Sequence, residues 1–204
     1  GACAAGRIGP WDAIIVDEGQ DFVADWWFVI EEALLVRDRG QIIELLDPAQ
    51  NLFRAQDPAS ERDTRAYFRM ELEENFRNTR CITEVVAGLG DVRLEPHPRC
   101  PEGVPPVYHD HLAAGKQRAA LDGLVRRLIQ QEGFQPDQVT ILTPHSRKNS
   151  SLRDAQDVGG FPLADHPARR DRAVLHVTVP AFKGLESDVV IALGVGPEVI
   201  AGST

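Results

Sequence analysis

The chain has 204 residues, 43% hydrophobic and 26% charged, with a formal net charge of −9 and a pI near 5.1. That size and balance suit one or two compact domains, each able to bury a core. The acidic balance excludes a protein that coats nucleic acid by bulk attraction, while leaving room for a local basic groove.

The lysines are Lys116, Lys148 and Lys183, so nearly all positive charge is arginine. That residue suits bidentate phosphate contacts, although genome composition produces the same bias. The cysteines are Cys3, Cys81 and Cys100, an odd number without CxxC spacing. A disulfide framework or zinc site is therefore not expected, and a cytoplasmic, reducing setting is. No apolar run approaches the ~18 residues of a membrane span, and no signal peptide is apparent. The chain starts at Gly1 and its sole methionine is Met70. The expectation is an excised or processed piece, with further motifs outside it.

In chain order, Gly1 to Pro10 reads as a poorly ordered lead-in. Trp11 to Val16 reads as a strand that ends in Asp17-Glu18-Gly19-Gln20-Asp21. An apolar run of this kind predicts a central parallel strand delivering acids to the sheet's carboxyl edge. There a first carboxylate can hold Mg²⁺ through water and phosphate, and its neighbour can polarise a water for attack on a phosphoryl group. The acid pair by itself equally well opens a loop. Val23, Trp26, Trp27, Ile30 and Leu34 recur at helical spacing, predicting an amphipathic helix over 22–38 with both tryptophans packing rather than stacking on bases.

Gln41 to Leu46 is a second predicted strand, stopped by Asp47-Pro48-Ala49-Gln50. A right-handed crossover would make the two strand tips neighbours. Residues 54–66 read as a charged loop, Tyr67 to Glu73 as a short strand, and Thr79 as the cap of a helix over about 80–88. Five prolines within 90–106 predict an irregular excursion. Pro106 to His109 is expected to open a short strand. Leu121, Leu124, Val125 and Leu128 mark a helix across 113–131 that Gly133 stops. Val139–Thr143, Val174–Val179 and Asp188–Leu193 are predicted strands, and the polar stretch 146–170 has no legible order. Alternating strands and helices imply an α/β fold with parallel sheets. The composition break near 67–79 divides it into two half-sheets, 1–69 and 70–204.

Four stretches together resemble the UvrD/Rep-like branch of superfamily 1 helicases. Val16-Asp17-Glu18-Gly19-Gln20-Asp21 is similar to motif II, and Asp47-Pro48-Ala49-Gln50-Asn51-Leu52-Phe53 to motif III. Leu72-Glu73-Glu74-Asn75-Phe76-Arg77-Asn78-Thr79 is similar to motif IV, and Thr178 to Glu186, with Lys183-Gly184-Leu185-Glu186, to motif V. They stand in the family's order, across about 11–194.

The resemblance implies two RecA-like lobes of the P-loop NTPase type: the end of the first (1–69) and most of the second (70–204). It implies ATP and Mg²⁺ between them and single-stranded DNA, or RNA, as the track. Asp17 is then the metal ligand, Glu18 the catalytic base, Gln50 a sensor of the γ-phosphate or the water, and Arg77 the charge stabiliser. Gly184 allows close backbone approach to the nucleotide and Glu186 accepts from the ribose. Asp21 divides evenly between a local loop bond and a coupling role. Lys183 serves solvation or a strand phosphate, Arg77 without its motif would read as a surface ion pair, and Phe53 and Phe182 read as packing.

The departures are specific. No GxxxxGK[ST] loop and no motif VI are present in the chain. Leu46 replaces the motif III glycine, Pro180 stands where a histidine near DNA is common, and Ser187 where a large apolar residue is common. Arg54 does not keep the spacing of the family's motif III arginine. The implied parent is an ATP-dependent helicase or translocase, whereas this piece alone is expected to be inactive as an ATPase. A non-hydrolysing lobe pair acting as a scaffold for protein or nucleic acid is the alternative. A metal-dependent nuclease built on Asp17, Glu18 and Asp21 is a third reading, and it needs further converging acids.

Overall fold

The computed structural model describes residues 9–36, 39–47, 68, 70–72, 74–89, 94–109 and 113–195. The expected lead-in up to residue 8, the loop 54–66, and Gln50, Arg54 and Phe53 of the motif III stretch lie outside the described residues. The chain is mixed α/β with mostly parallel strands, and it divides into two compact units, Gly1–Val107 and Tyr108–Thr204. The lobe boundary expected at 69/70 falls beside residues outside the description, and the compact units part at 107/108.

In the first unit, β1 (Ala13–Val16) pairs in parallel with β2 (Gln41–Glu44), Ala13 facing Gln41 and Val16 facing Glu44. The connection is α1 (Ala24–Val29), closed by a wider turn over Ile30–Leu34 in which the Leu35 N–H donates to the Ile30 carbonyl. The helix expected over 22–38 is therefore shorter. Its end is set by pairing: Trp11 N–H donates to Leu34 and Val36 N–H donates to Trp11, drawing Leu35 into a bridge with Trp11.

Val16, Trp27 and Ile30 form the buried core, with Ile14, Phe22, Leu34 and Ile42 around it. Trp27 is 2% exposed and packs on Phe22, its ring centroid 5.5 Å away, as expected of a core residue. Trp26 is 55% exposed but also touches Phe22, edge to face at 5.3 Å. The strands alternate: Ile14 and Val16 face the helix, while Ile15 is 66% and Ile43 49% exposed. β1, expected to be a central parallel strand, packs one face on the core and leaves the other exposed. Its apolar run masks a two-sided difference that only the packing partner decides.

Further along the same unit, β3 (Glu74–Asn75) pairs in parallel with β4 (Glu95–Pro96), with α2 (Arg80–Leu89) between them. The strand expected over Tyr67–Glu73 is replaced by this shorter pairing; Phe68 and Met70 to Leu72 carry no regular structure. The stretch 90–106 contains β4, so it is not wholly irregular, and no strand forms at Pro106–His109. Thr79 does not cap α2 as expected. Its hydroxyl is buried without a hydrogen-bond partner, and the Arg80 and Cys81 N–H groups donate instead to the Pro101 and Glu102 carbonyls. A backbone segment thus satisfies the helix's orphan donors in place of a side chain.

The second unit is a five-stranded sheet in the order β6-β7-β8-β5-β9. Its strands are β5 (Val139–Thr143), β6 (Asp157–Val158), β7 (Phe161–Ala164), β8 (Val174–Thr178) and β9 (Val189–Ala192). β6 pairs antiparallel with β7 and all other pairings are parallel. α3 (Ala114–Gln130) lays Leu121 and Val125 on Val139, Ile141, Val158 and Val174, which form the core with Leu152. Each fully buried Val or Leu contributes about 1.5–3 kcal/mol here. The helix ends at Gln130, and Gly133 turns the chain just beyond it as expected: its φ of +86° lets the Phe134 N–H return to the Leu128 carbonyl while Phe134 packs on the core. A single turn, α4 (Val179–Phe182), starts the crossover from β8 to β9.

Candidate functional site

In the first unit, the tips of β1 and β2 form one structure. The Leu45 N–H donates to the Val16 carbonyl and the Gly19 N–H to the Leu45 carbonyl. Between them the chain turns sharply. Glu18 sits at φ 56°, ψ 42°, in the left-handed region that a non-glycine residue rarely adopts. A short helical turn over Gly19–Asp21 follows, with the Asp21 N–H on the Glu18 carbonyl. A Cβ at Gly19 would lie 2.5 Å from Glu44 Oε1, so the Glu44 side chain would have to move aside.

This turn divides the acids. Asp17 is exposed and accepts the Glu18 N–H at 3.0 Å. Glu18 is half-buried, and its Oε2 accepts from Gln20 Nε2 at 2.6 Å. Gln20 is itself buried, 6% exposed, and its Oε1 accepts the Asp47 N–H at 3.0 Å. Because Asp47 N–H can only donate, the Gln20 oxygen faces it, and the amide nitrogen faces Glu18. The strand tips are neighbours, as a crossover predicts.

In the same unit, Arg77 lies exposed in the turn from β3 into α2. Asn75 shapes that turn: its Oδ1 accepts the N–H of Arg77 at 2.9 Å and of Asn78 at 3.0 Å. This is an Asx turn, in which a side-chain oxygen closes the backbone turn. Phe76 stacks on His97 at 3.9 Å and so packs within the unit.

In the second unit, Lys183, Gly184 and Glu186 follow α4 in the crossover. Gly184 has φ +77° and open space where a Cβ would stand, and Glu186 is exposed. Ser187 is a buried-side hub. Its hydroxyl accepts from Thr140 at 3.0 Å and Arg170 at 2.9 Å, and donates to the Gln138 carbonyl at 2.9 Å. A large apolar residue there could make none of these bonds. The carboxyl edge of this sheet also holds a polar cluster. His176, 4% exposed, places Nε2 3.0 Å from Thr143 Oγ1 and Nδ1 4.0 Å from Asp165, which Arg147 engages at 2.7 Å. Burial pushes the His176 imidazole below its ordinary value, Asp165 pulls it up, and Arg147 adds to the lowering.

The structure thus brings Asp17 and Glu18 together with Gln20 and Asp47, and it presents Arg77 in the same compact unit. Gly184 and Glu186 lie in the second unit, and Gln50 lies outside the described residues. Among the described residues no group of three His, Cys, Asp or Glu side chains could hold a metal ion by itself. No helix among them is long and apolar enough to cross a membrane. The hydrogen bonds that Gln20, Asn75 and Ser187 make were not anticipated from the sequence. An amide between two acids at a strand tip, and an Asn two residues before an Arg in a turn, were the available signals for the first two. The chain matches no protein-family model and no curated protein.

Proposed function

We propose that the chain is a fragment of a cytoplasmic superfamily 1 DNA helicase or translocase, carrying the end of one RecA-like lobe and most of a second. The observation that carries this reading is the joint tip of β1 and β2. There an exposed Asp17 adjoins a Glu18 held in left-handed backbone conformation, with its carboxylate clamped by a buried amide. Strain of that kind costs about 1–3 kcal/mol and persists where surrounding structure over-determines it, which is characteristic of catalytic turns.

Within this reading, Asp17 fits Mg²⁺, an ion that takes one or two carboxylates and keeps several waters. Bound there, the ion would neutralise charge on the β- and γ-phosphates. Glu18 orients the attacking water and takes its proton. Arg77, in the turn that Asn75 shapes, stabilises charge on the transferred phosphoryl group, and Gln50 reports the γ-phosphate. Gly184 and Glu186 serve the nucleoside. The phosphate-cradling loop comes from the remainder of the protein, and single-stranded DNA is the track. The bare outer face of β1 and β2 supports this. Two parallel strands with Ile15 and Ile43 exposed are too small to be stable alone, and parallel sheets are ordinarily covered on both faces.

The test is hydrolysis by the complete protein with and without single-stranded DNA. Glu18→Gln is expected to lower kcat by about 10²–10⁴-fold, and Arg77→Ala by about 10³-fold. The 204-residue chain alone is expected not to hydrolyse ATP, since it lacks the loop that contacts the β- and γ-phosphates. Hydrolysis by this chain that Glu18→Gln abolishes would refute that expectation. A complete protein that binds DNA without hydrolysing ATP would favour the scaffold reading instead.

A further inference from the structure

The geometry points to Gln20 as the positioning residue for Glu18, fixing the direction of its carboxylate and tying it to the tip of β2. This rests on the ATPase reading of Glu18 given above. A carboxylate that activates a water must hold its direction, because misplacement by about 1 Å can cost roughly 10²-fold in rate. The backbone at Glu18 is in an unfavourable region, so the backbone alone does not hold the side chain cheaply.

Gln20 supplies such a constraint with both ends of one amide. Its nitrogen donates to Glu18 at 2.6 Å, a short distance for a bond to a charged acceptor. Its oxygen takes the Asp47 N–H, 27 positions away in sequence. The amide is buried at 6% exposure, so water competes poorly for either bond. Asp47 opens the stretch 47–53 that carries Gln50. A shift at the tip of β2 therefore reaches the Glu18 carboxylate through a single side chain. A Gln that merely filled space would need neither bond, and an apolar residue of similar size would replace it.

Two substitutions separate the ends of the clamp. Gln20→Glu keeps an oxygen for the Asp47 N–H and replaces the donor to Glu18 with a second carboxylate oxygen. Gln20→Leu removes both bonds. In the 204-residue chain, amide hydrogen exchange at Asp47 is expected to stay slow in Q20E and to speed up about 10-fold or more in Q20L. In the complete protein, Q20E is expected to lower kcat for ATP by about 10- to 100-fold with KM changed less than about 3-fold. A purely structural glutamine would move stability and leave that kcat–KM split unmoved.

Wild-type kcat in Q20E, in a protein that Glu18→Gln inactivates, overturns the positioning role alone. An Asp47 amide equally protected in Q20L overturns the tie to β2. Glu18→Gln at wild-type rate sinks the ATPase reading itself, and that control identifies the failure independently of Gln20.

Discussion

Replacing Asp122 should uncouple α3 from the β6–β7 hairpin. One carboxylate oxygen accepts the Gly159 N–H at 2.7 Å, and the other accepts Arg118 Nε at 2.9 Å. Arg118 Nη2 in turn donates to the Asp157 carbonyl at 2.7 Å, so the pair grips both ends of β6. Gly159 has φ +59°, and a Cβ there would lie 2.8 Å from the Asp122 carbonyl oxygen, so helix and hairpin meet backbone to backbone. Losing a charged acceptor for a backbone N–H costs about 1.5–3 kcal/mol. The partly exposed Arg118 pair adds only about 0.3–0.5 kcal/mol. Alanine's better helix propensity returns roughly 0.5 kcal/mol. Asp122→Ala should therefore destabilise by about 2 kcal/mol, and Asp122→Asn, which keeps a neutral acceptor, by about 1 kcal/mol.

Urea denaturation of the whole chain measures both. The pH dependence supplies a second check. Burial pushes the Asp122 carboxyl up, but the Arg118 hydrogen bond, the Gly159 N–H and the charges of Arg118 and Arg126 outweigh it, leaving it below the ordinary 3.8. The folded state then binds fewer protons than the unfolded one. The charge-dependent stability is present above 3.8 and is lost as pH falls through the lower folded value. The gap between wild type and Asp122→Asn should narrow there. Asp122→Ala within about 0.5 kcal/mol of wild type, or equal losses in both variants, would refute the reasoning.

Gly184→Ala meets no atom within 4 Å but must hold φ +77°, so it should cost only about 1 kcal/mol by thermal denaturation. Gly159→Ala adds the clash with the Asp122 carbonyl and should cost about 3 kcal/mol; equal losses would show that strain alone matters. Because burial holds the His176 imidazole below 6.5, its unfolded form takes up protons first, and urea midpoints should fall as pH drops below 6.5. His176→Gln should flatten that dependence between pH 8 and 5, while a flat wild-type profile would contradict the burial argument. Asn75→Ala removes the acceptor for the Arg77 and Asn78 N–H groups and should cost about 1 kcal/mol, with faster exchange at both amides.

Some of this was legible from order along the chain, because its causes are local. β5 falls at the expected Val139–Thr143, and Leu121, Val125 and Leu128 form the buried face of α3 at helical spacing. The Asp17-Glu18 pair ends its strand as expected, since an apolar run followed by charge is a one-dimensional signal. The hairpin at 157–164 was missed although Gly159-Gly160 marks its turn, because Phe161-Pro162-Leu163-Ala164 lacks a clean strand alternation.

What tertiary structure alone decided depends on residues distant in sequence. Gln20 meets Asp47, Asp122 meets Gly159 and Thr140 meets Ser187 across 27, 37 and 47 positions. No periodicity encodes which buried polar atom will find which partner; burial makes the bond necessary, and only the fold supplies it. The left-handed Glu18 and the single covered face of β1 belong to the same class. Each is settled by what packs against it, and the sequence names the residue without naming its neighbour.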